Sequence, residues 1–518
     1  MNQNNISTAE LFQRVRELLT LPELEPKTRN KMMHDTLILC CHEGVKETKQ
    51  AFGNLFSQVD YLCKAHGIKV ADKIAIQTMR RHSNSQEPLS SEDLKYDARA
   101  LAIFISAVFG VDVPHELNVL IPHTNRPYQK GLEINNRRIR CIVKNWDSDF
   151  IRVDIDQDAD EEEYLIQLKD EENHIDHTYL WDILKEGMQL NLLDCQVKQP
   201  IITPRLIVVE PDYLVDISSI ATCFTAFGHH PLLYLLNLMK PRANTQATLL
   251  GNFAGAALDD IINTNGKYQM NETIKTNFRE KALEFCTCPW FDAKKFYTDA
   301  NQQAFNLQQV VDILFPRTAS QAQMSAFRGE SLYDRKKAIL EPSFVCEALG
   351  IQGRVDLMTT DCKLLVEQKS GRNMNIETHQ VDPGYHSYQL EPHYVQLLLY
   401  YGVLQHNFKL SNDRVNIRLL YSKYQPQDGL MVVAYYQKLF KEAIEYRNQL
   451  VAASFEIAKE GFEHALNEFT PDVLNVAGTQ DFFYNKYLKP QIEAIASPLH
   501  TLSPLEEAYF CRMMTFVL

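Results

Sequence analysis

Residues 343–371, SFVCEALGIQGRVDLMTTDCKLLVEQKSG, decide how the rest of the chain is read. Gly350, Gly353 and the polar run Thr359-Thr360-Asp361 divide the stretch into two or three short strands. With Thr360 and Asp361 as the centre of a tight turn, antiparallel pairing sets Asp356 opposite Leu365. Side chains alternate along a strand, so Asp356, Glu367 and Lys369 share one face. Val355, Leu357, Leu364 and Val366 collect on the other face as a surface to bury, and only Leu365 and Met358 among the aliphatic residues stay on the charged side. Two adjacent carboxylates repel unless a cation lies between them, and hard oxygen donors with positions left for water suit Mg²⁺ or Mn²⁺. Such an ion acidifies a bound water and neutralises charge building on a phosphate, while Lys369 orients the water or stabilises the pentavalent phosphorus. The expected chemistry is phosphodiester hydrolysis. Solvated charges on a surface hairpin would give the same letters, but these strands read as buried ones.

GRVDLM followed by LLVEQKSG resembles the core of the PD-(D/E)xK nuclease superfamily, in the branch shared by the RecB nuclease domain and the CRISPR-associated RecB-like exonucleases. That branch carries a QxxxY helix after the ExK strand, and HYVQLLLYYGVL supplies Gln396 and Tyr400, with His393 one turn earlier. Gln and Tyr four apart share a helix face, although the same letters also describe an apolar core helix. The resemblance implies that Asp356, Glu367 and the Gln368 carbonyl bind metal and that Lys369 is catalytic. It further implies that Gln396, Tyr400, His393 and Arg354 contact the strand or order the cleft. The implied substrate is a single-stranded DNA end or flap, and the implied partner is a helicase domain or subunit.

The family also places a histidine, in a GxxxH context, on the helix before the hairpin. GAALDDIIN puts Asp259 there, a carboxylate that magnesium accepts. Alignment on GNFAG puts Gly255 there instead and supplies no ligand. The segment VVEPDYLVDISSIATCF is similar to the approach to the nuclease domain of flap-trimming replication nuclease-helicases, where a small barrel precedes it. The likeness then covers roughly residues 120–425. Those relatives hold an iron-sulfur cluster on four cysteines. Cys223 lies near the first position, but no cysteine occurs between Cys362 and Cys511, so no cluster is expected.

The 518 residues leave room for three or four domains. A net charge of -13 argues against a general nucleic-acid coat, though not against a nuclease with a local basic cleft. Eleven cysteines without a CxxC suggest free thiols in a reducing cytoplasm, and no apolar run suffices to cross a bilayer. The fold class expected is α+β and multidomain. A helical accessory module occupies 1–116, opened by a capping box at Ser7 and Glu10. A β-barrel-like domain of the oligonucleotide-binding type occupies 117–216, with turns at Asn135-Asn136 and Asp147-Ser148. In it Arg137, Arg138, Arg140 and Trp146 are candidates for a single-stranded path, and the acidic run DIDQDADEEE reads as a solvated loop. An α/β restriction-endonuclease-like nuclease core with extra C-terminal helices, implied by the resemblance, occupies 217–518.

Within that last region Arg328, Arg335, Lys336 and Lys337 are candidates for holding phosphates, or else solvated helix charges. His229 and His230 read as loop or core residues. RVNIRLLYSKY reads as a buried strand whose polar end, Ser422 to Tyr424, lies near the cleft. The long amphipathic helix from about residue 438 is a candidate channel wall. No GxxxxGK[ST] occurs, so ATP hydrolysis is not expected of this chain. Its apolar ending suggests either a motor domain that follows or a separate helicase. The rival expectation is a non-catalytic nuclease-like clamp or scaffold in a repair complex.

Overall fold

The computed structural model describes residues 7–21, 23–84, 88–126, 133–155, 163–225, 228–240, 244–264, 267–381, 387–410, 414–474, 482 and 484–517. Most of the acidic run, residues 156–162, lies outside them. The architecture is mixed α/β, with a closed five-stranded barrel and further sheets. Among the described residues no helix is long and apolar enough to cross a membrane.

Five helices, α1 (Thr8–Thr20), α2 (Pro26–Gly44), α3 (Leu55–Ala65), α4 (Val70–Asn84) and α5 (Ser91–Phe109), begin the chain. The first starts where the capping box predicts: the Ser7 hydroxyl accepts from the Glu10 N–H, and the Glu10 carboxylate accepts from the Ser7 N–H at 2.7 Å. Apolar stripes of these helices close on one another around Leu37, Leu101 and Phe104. Between α2 and α3 the two-residue strand β1 (Ala51–Phe52) leaves the helices and pairs in parallel with the edge of a distant sheet. Pairing there covers an edge that would otherwise present unpaired N–H and C=O groups.

The barrel is made of β2 (Asn136–Trp146), β3 (Phe150–Ile155), β4 (Tyr164–Gln167), β5 (Gln189–Lys198) and β6 (Ile201–Thr203), with β7 (Leu206–Val209) added outside. The strand order β2-β3-β4-β6-β5 closes through a second pairing of β2 with β5, and β4 runs parallel to β6. Alternation along β2 buries Ile139, Cys141 and Val143 against Ile151, Val153 and Leu190. The Asp147-Ser148 turn is present, its Asp147 carboxylate accepting from the N–H groups of Asp149 and Phe150. Asn135-Asn136 is not a turn: Asn136 opens β2 and pairs with Cys195. Arg138 and Arg140 lean toward Glu347 and Asp212 and form ion pairs.

Beyond the barrel, β8 (Val215–Asp216) leads into the short helix α6 (Ile217–Ala221), then α7 (Gln246–Asn263) and α8 (Ala293–Leu314). The hairpin region holds five strands: β9 (Ala338–Leu340), β10 (Ser343–Cys346), β11 (Ile351–Arg354), β12 (Leu357–Thr359) and β13 (Leu364–Lys369). After it come α9 (Glu391–Phe408), β14 (Asn416–Tyr421), β15 (Leu430–Val433) and α10 (Gln437–Glu460). The main sheet runs β1-β15-β14-β13-β12-β9, while β11 belongs to a separate sheet with β8 and β10. β13 and β14 are parallel, and α9 is the crossover that a parallel pair requires.

That crossover corrects one expectation. Leu365 and Met358 are buried, like the aliphatic residues of the opposite face, because both faces of the sheet are covered. On one side Leu365, Ile417 and Leu419 meet Val395, Leu398 and Leu399 of α9. On the other, Leu364, Val366 and Leu420 meet Phe253, Ala257 and Leu307 of α7 and α8. At Gly402 α9 crosses α10 so closely that a Cβ there would sit 2.3 Å from the Phe440 ring. One face of α10 is built into the core through Leu439, Ile444 and Val451. It also carries Arg447, fully buried, to the barrel: its guanidinium donates to the backbone carbonyls of Val209, Glu210, Tyr213 and Gly350.

Candidate active site

The hairpin register differs from the tight-turn expectation by two residues. Leu357 pairs with Val366 and Met358 with Leu365, which places Asp356 opposite Glu367, where β12 ends and the chain diverges into β11. The loop is wider because the Thr359 hydroxyl accepts from the N–H groups of Lys363 and Leu364 and donates to Asp361, and because Cys362 takes a left-handed φ of 54°. A two-residue shift preserves the faces, since strand side chains repeat every two residues. It brings the two carboxylates closer than the sequence suggested.

Lys369 Nζ donates to Glu367 Oε1 at 2.7 Å and to Gln396 Oε1 at 2.8 Å. Asp356 Oδ2 accepts from the Gln368 N–H at 2.6 Å. In a strand the N–H and C=O of one residue point the same way, so the Gln368 carbonyl also faces the Asp356 side. The Lys369 carbonyl points away and accepts from the Ser422 N–H at 2.9 Å. Glu367 is 2% exposed, and its Oε2 has no hydrogen-bond partner. Burial, then the Asp356 charge, pushes the Glu367 carboxyl up to about 8 against the pull of Lys369. Burial also raises Asp356, against the Gln368 N–H and Lys369.

A buried carboxylate oxygen left without a donor is a costly arrangement unless something positive completes it. Asp356, Glu367 and the Gln368 carbonyl form an all-oxygen donor set suited to Mg²⁺ or Mn²⁺, which bind through one or two carboxylates and keep several waters. Among the described residues no three His, Cys, Asp or Glu side chains converge as a metal cage. Asp259 is close enough to the pair to feel the charge of Asp356. Its carboxyl is pushed up to about 6 by burial, then by the charges of Glu341 and Asp356. Gly251, Gly255 and Asp259 lie at successive four-residue steps of α7, on one face. A Cβ at Gly251 would lie 3.1 Å from Ser370 Oγ, and one at Gly255 would meet nothing, so this face borders open space beside the end of β13.

The helix α9 places Gln396 and Tyr400 over Glu367 and Lys369. Tyr400 is 3% exposed and donates to the Arg354 carbonyl at 2.7 Å, with its ring against Gly353, where a Cβ would come within 3.0 Å. Of the two roles open to it, ordering the cleft fits this burial. It ties the turn preceding Asp356 to α9. The Arg354 side chain is exposed and pairs with Glu341 at 3.0 Å. His393 Nδ1 lies 3.0 Å from Tyr421 Oη, and burial holds its ring neutral, down to about 3.

Two groups were not singled out from the sequence. Glu341 sits at a left-handed corner, φ 48°, donates its N–H to the Asp356 carbonyl, and adds a third acidic charge beside Asp356 and Asp259. Nothing in its local letters marks it. In the buried polar network under β13 the sequence places Ser422 near the cleft, whereas Gln303 and Asn306 are missed. The Ser422 hydroxyl donates to Gln303 Oε1 and accepts from Gln368 Nε2, both at 2.6 Å, and Gln303 donates to the Ser370 carbonyl. Asn306 donates to the Ser422 carbonyl at 3.0 Å. The signal was available in α8, where Gln303 and Asn306 interrupt the face that carries Ala300, Ala304 and Leu307.

Other expectations resolve into structural roles. Arg335 donates to the carbonyls of Ile261 and Ile262 and caps the C-terminal end of α7. Arg328 donates to the Lys49 carbonyl, and Lys337 pairs with Asp361. His229 bridges Glu391 at 3.0 Å and Glu442 at 2.5 Å, between α9 and α10. No protein-family model and no curated protein matches this sequence.

Proposed function

We propose that the chain is a Mg²⁺- or Mn²⁺-dependent deoxyribonuclease of the RecB-like kind, hydrolysing phosphodiester bonds of single-stranded DNA ends or flaps. The observation that carries this reading is Asp356 facing Glu367 at the divergence of two strands, with an unpartnered buried oxygen on Glu367 and Lys369 at its side. Asp356, Glu367 and the Gln368 carbonyl would hold the ion, and Asp259 would reach it through a bridging water. When bound, the ion supplies an acidified water and positive charge at the phosphate. Lys369, held by Gln396, orients the nucleophile and stabilises negative charge as it grows on the phosphate oxygens. Tyr400 sets the position of Asp356 through the Arg354 backbone.

The barrel supports a nucleic-acid substrate. Its order, strand one paired to two and four, three parallel to five, is that of oligonucleotide-binding barrels. With α7 and α8 on one face of the sheet and α9 on the other, the core fits the restriction-endonuclease-like plan. All eleven cysteines are free, which suits a reducing cytoplasm, and a helicase domain or subunit would supply the strand. The second reading, a non-catalytic clamp, is favoured by Asp259 standing where the resembled family has a histidine and by the lack of any cysteine between Cys362 and Cys511.

Incubation with an end-labelled single strand separates the two. The nuclease shortens the label in Mg²⁺ or Mn²⁺ and leaves it intact in EDTA. Binding without any shortening in either metal identifies a clamp.

A further inference from the structure

Between α2 and α3 the chain reads TKQAFGN over residues 48–54, and this stretch is laid into the half of the molecule that holds the carboxylate pair. Ala51 and Phe52 form β1 and pair with Met431 and Val432 of β15. Gly53 donates its N–H to the Val432 carbonyl at 3.1 Å, and its own carbonyl accepts from the Tyr388 N–H at 2.7 Å. Asn54 bridges to Ser387 and also caps α3, its side chain accepting from the Ser57 N–H at 2.9 Å. The upstream end is anchored as well. Lys49 donates its N–H to the Arg328 carbonyl at 3.1 Å, and Gln50 accepts from the buried Arg418 at 3.4 Å.

The segment held by these contacts, residues 387–390, decides where α9 begins. Leu390, the N-cap of α9, supplies no side-chain hydrogen bond, so the helix lacks a local device to fix its first turn. Its start is fixed from outside. The Gly53 carbonyl takes the Tyr388 N–H, Asn373 Nδ2 donates to the Tyr388 carbonyl at 2.9 Å, and Leu390 donates to Tyr421 Oη at 3.1 Å. Gln389 is buried and lies across Gly53 so closely that a Cβ there would overlap its Oε1 and lie 2.8 Å from its Cδ. Only glycine permits that approach. Further along α9, Gln396 accepts from the Lys369 ammonium at 2.8 Å.

We propose that residues 51–54 are a positioning strap through which the N-terminal helices set the start of α9 and so hold Gln396 in register with Lys369. Gly53 is then a positioning residue for cleavage, and the helical module is part of the nuclease and not an appendage to it. The inference rests on the nuclease reading above.

The sign of the kinetic effect follows from what Gln396 does. It steers an ammonium that stabilises charge growing on the phosphate, and misplacing such a group by about 1 Å costs up to about a hundredfold in rate. Loosening the strap therefore lowers kcat and leaves KM nearly as it was, whereas a contact to the bound strand would move KM.

G53A and the wild type are compared for cleavage of an end-labelled single strand in Mg²⁺ and for hydrogen–deuterium exchange, both well below their melting midpoints. G53A is expected to lose at least about tenfold in kcat with KM within about twofold of the wild type. It should exchange faster over residues 387–396 while α5 keeps wild-type exchange. In a Gln389→Ala background the three atoms nearest the added methyl group are gone, and the same glycine substitution should cost less than about threefold. Q50A slackens the strap without adding a side chain and serves if G53A melts early, with an expected loss of about threefold in kcat and the same local rise in exchange. Wild-type exchange over residues 387–396 in both variants would overturn the strap. So would a G53A loss confined to KM, or one undiminished by Gln389→Ala. Failure of the wild type to cleave would instead defeat the nuclease reading, and the exchange measurements would still decide whether the strap fixes α9.

Discussion

A Glu367→Gln protein is expected to cleave single strands at least about a hundredfold more slowly while melting no lower than the wild type. The activity loss follows from removing a charge that the proposed ion needs, an effect of about 10²–10³ for a single well-placed group. The stability result follows from the cost of keeping that charge in place. Glu367 is buried and its carboxyl is pushed from an ordinary value of 4.5 up to about 8, chiefly by burial. Below the ordinary value both folded and unfolded chains hold the proton and nothing is lost. As pH rises toward about 8 the unfolded chain releases it while the folded one retains it, so stability falls. The raised carboxyl of Asp356 adds to the same trend. Glutamine removes the Glu367 part of this slope. Thermal melting at pH 5.5 and pH 8, with and without Mg²⁺, checks both halves. Mg²⁺ should raise the wild-type midpoint more at pH 8 than at pH 5.5 and leave the glutamine variant nearly unmoved. A variant that melts several degrees below wild type at pH 8 would show that Glu367 stabilises the fold and is not held there for chemistry.

The second large effect lies away from the cleft. Arg447→Met should cost about 3–5 kcal/mol, because it strands several buried carbonyls whose loss of a donor costs about 1–3 kcal/mol each before relaxation. Four backbone carbonyls share the one guanidinium, from Val209, Glu210, Tyr213 and Gly350. Gly350 cannot compensate by becoming larger, since its φ of 60° strains any residue with a Cβ. Asn448 completes the joint, accepting from Val209 N–H at 3.0 Å and donating to the Ile207 carbonyl at 2.8 Å. Urea unfolding should show a lowered midpoint. A loss below about 1 kcal/mol would mean that water replaces the guanidinium at little cost. Since Gly350 begins the strand that leads to Asp356, the same variant should also cleave more slowly.

The hairpin was legible in its parity and not in its register. Alternation fixes which residues share a face whatever the loop length, provided the shift is even, and the Thr359 hydroxyl produced an even shift. Gln396 and Tyr400 were legible as neighbours on one helix face. Which of them touches the cleft was not, because whether Tyr400 lies against Gly353 depends on how closely β11 approaches α9. Asp259 was legible as a carboxylate on the glycine-bearing face of α7, but helix periodicity gives only its face and not its distance from Asp356. Gln303 and Asn306 show in the sequence as interruptions of an apolar helix face, but their partner Ser422 lies more than a hundred residues later. Arg447 likewise looks like one more charge on an amphipathic helix. Its carbonyl partners lie 97 to 238 residues away, a separation that local pattern does not encode.

The most direct measurement compares the wild-type protein with Lys369→Ala on an end-labelled single strand in Mg²⁺. Because Lys369 also donates to the buried Glu367, its removal should lower melting at pH 8, and the two rates are compared at a temperature well below both midpoints. The account requires the wild type to shorten the strand and the variant to do so at least about a hundredfold more slowly. Equal rates from both proteins would mean that any cleavage arises elsewhere, and the convergence of Asp356, Glu367 and Lys369 would have to be explained without catalysis.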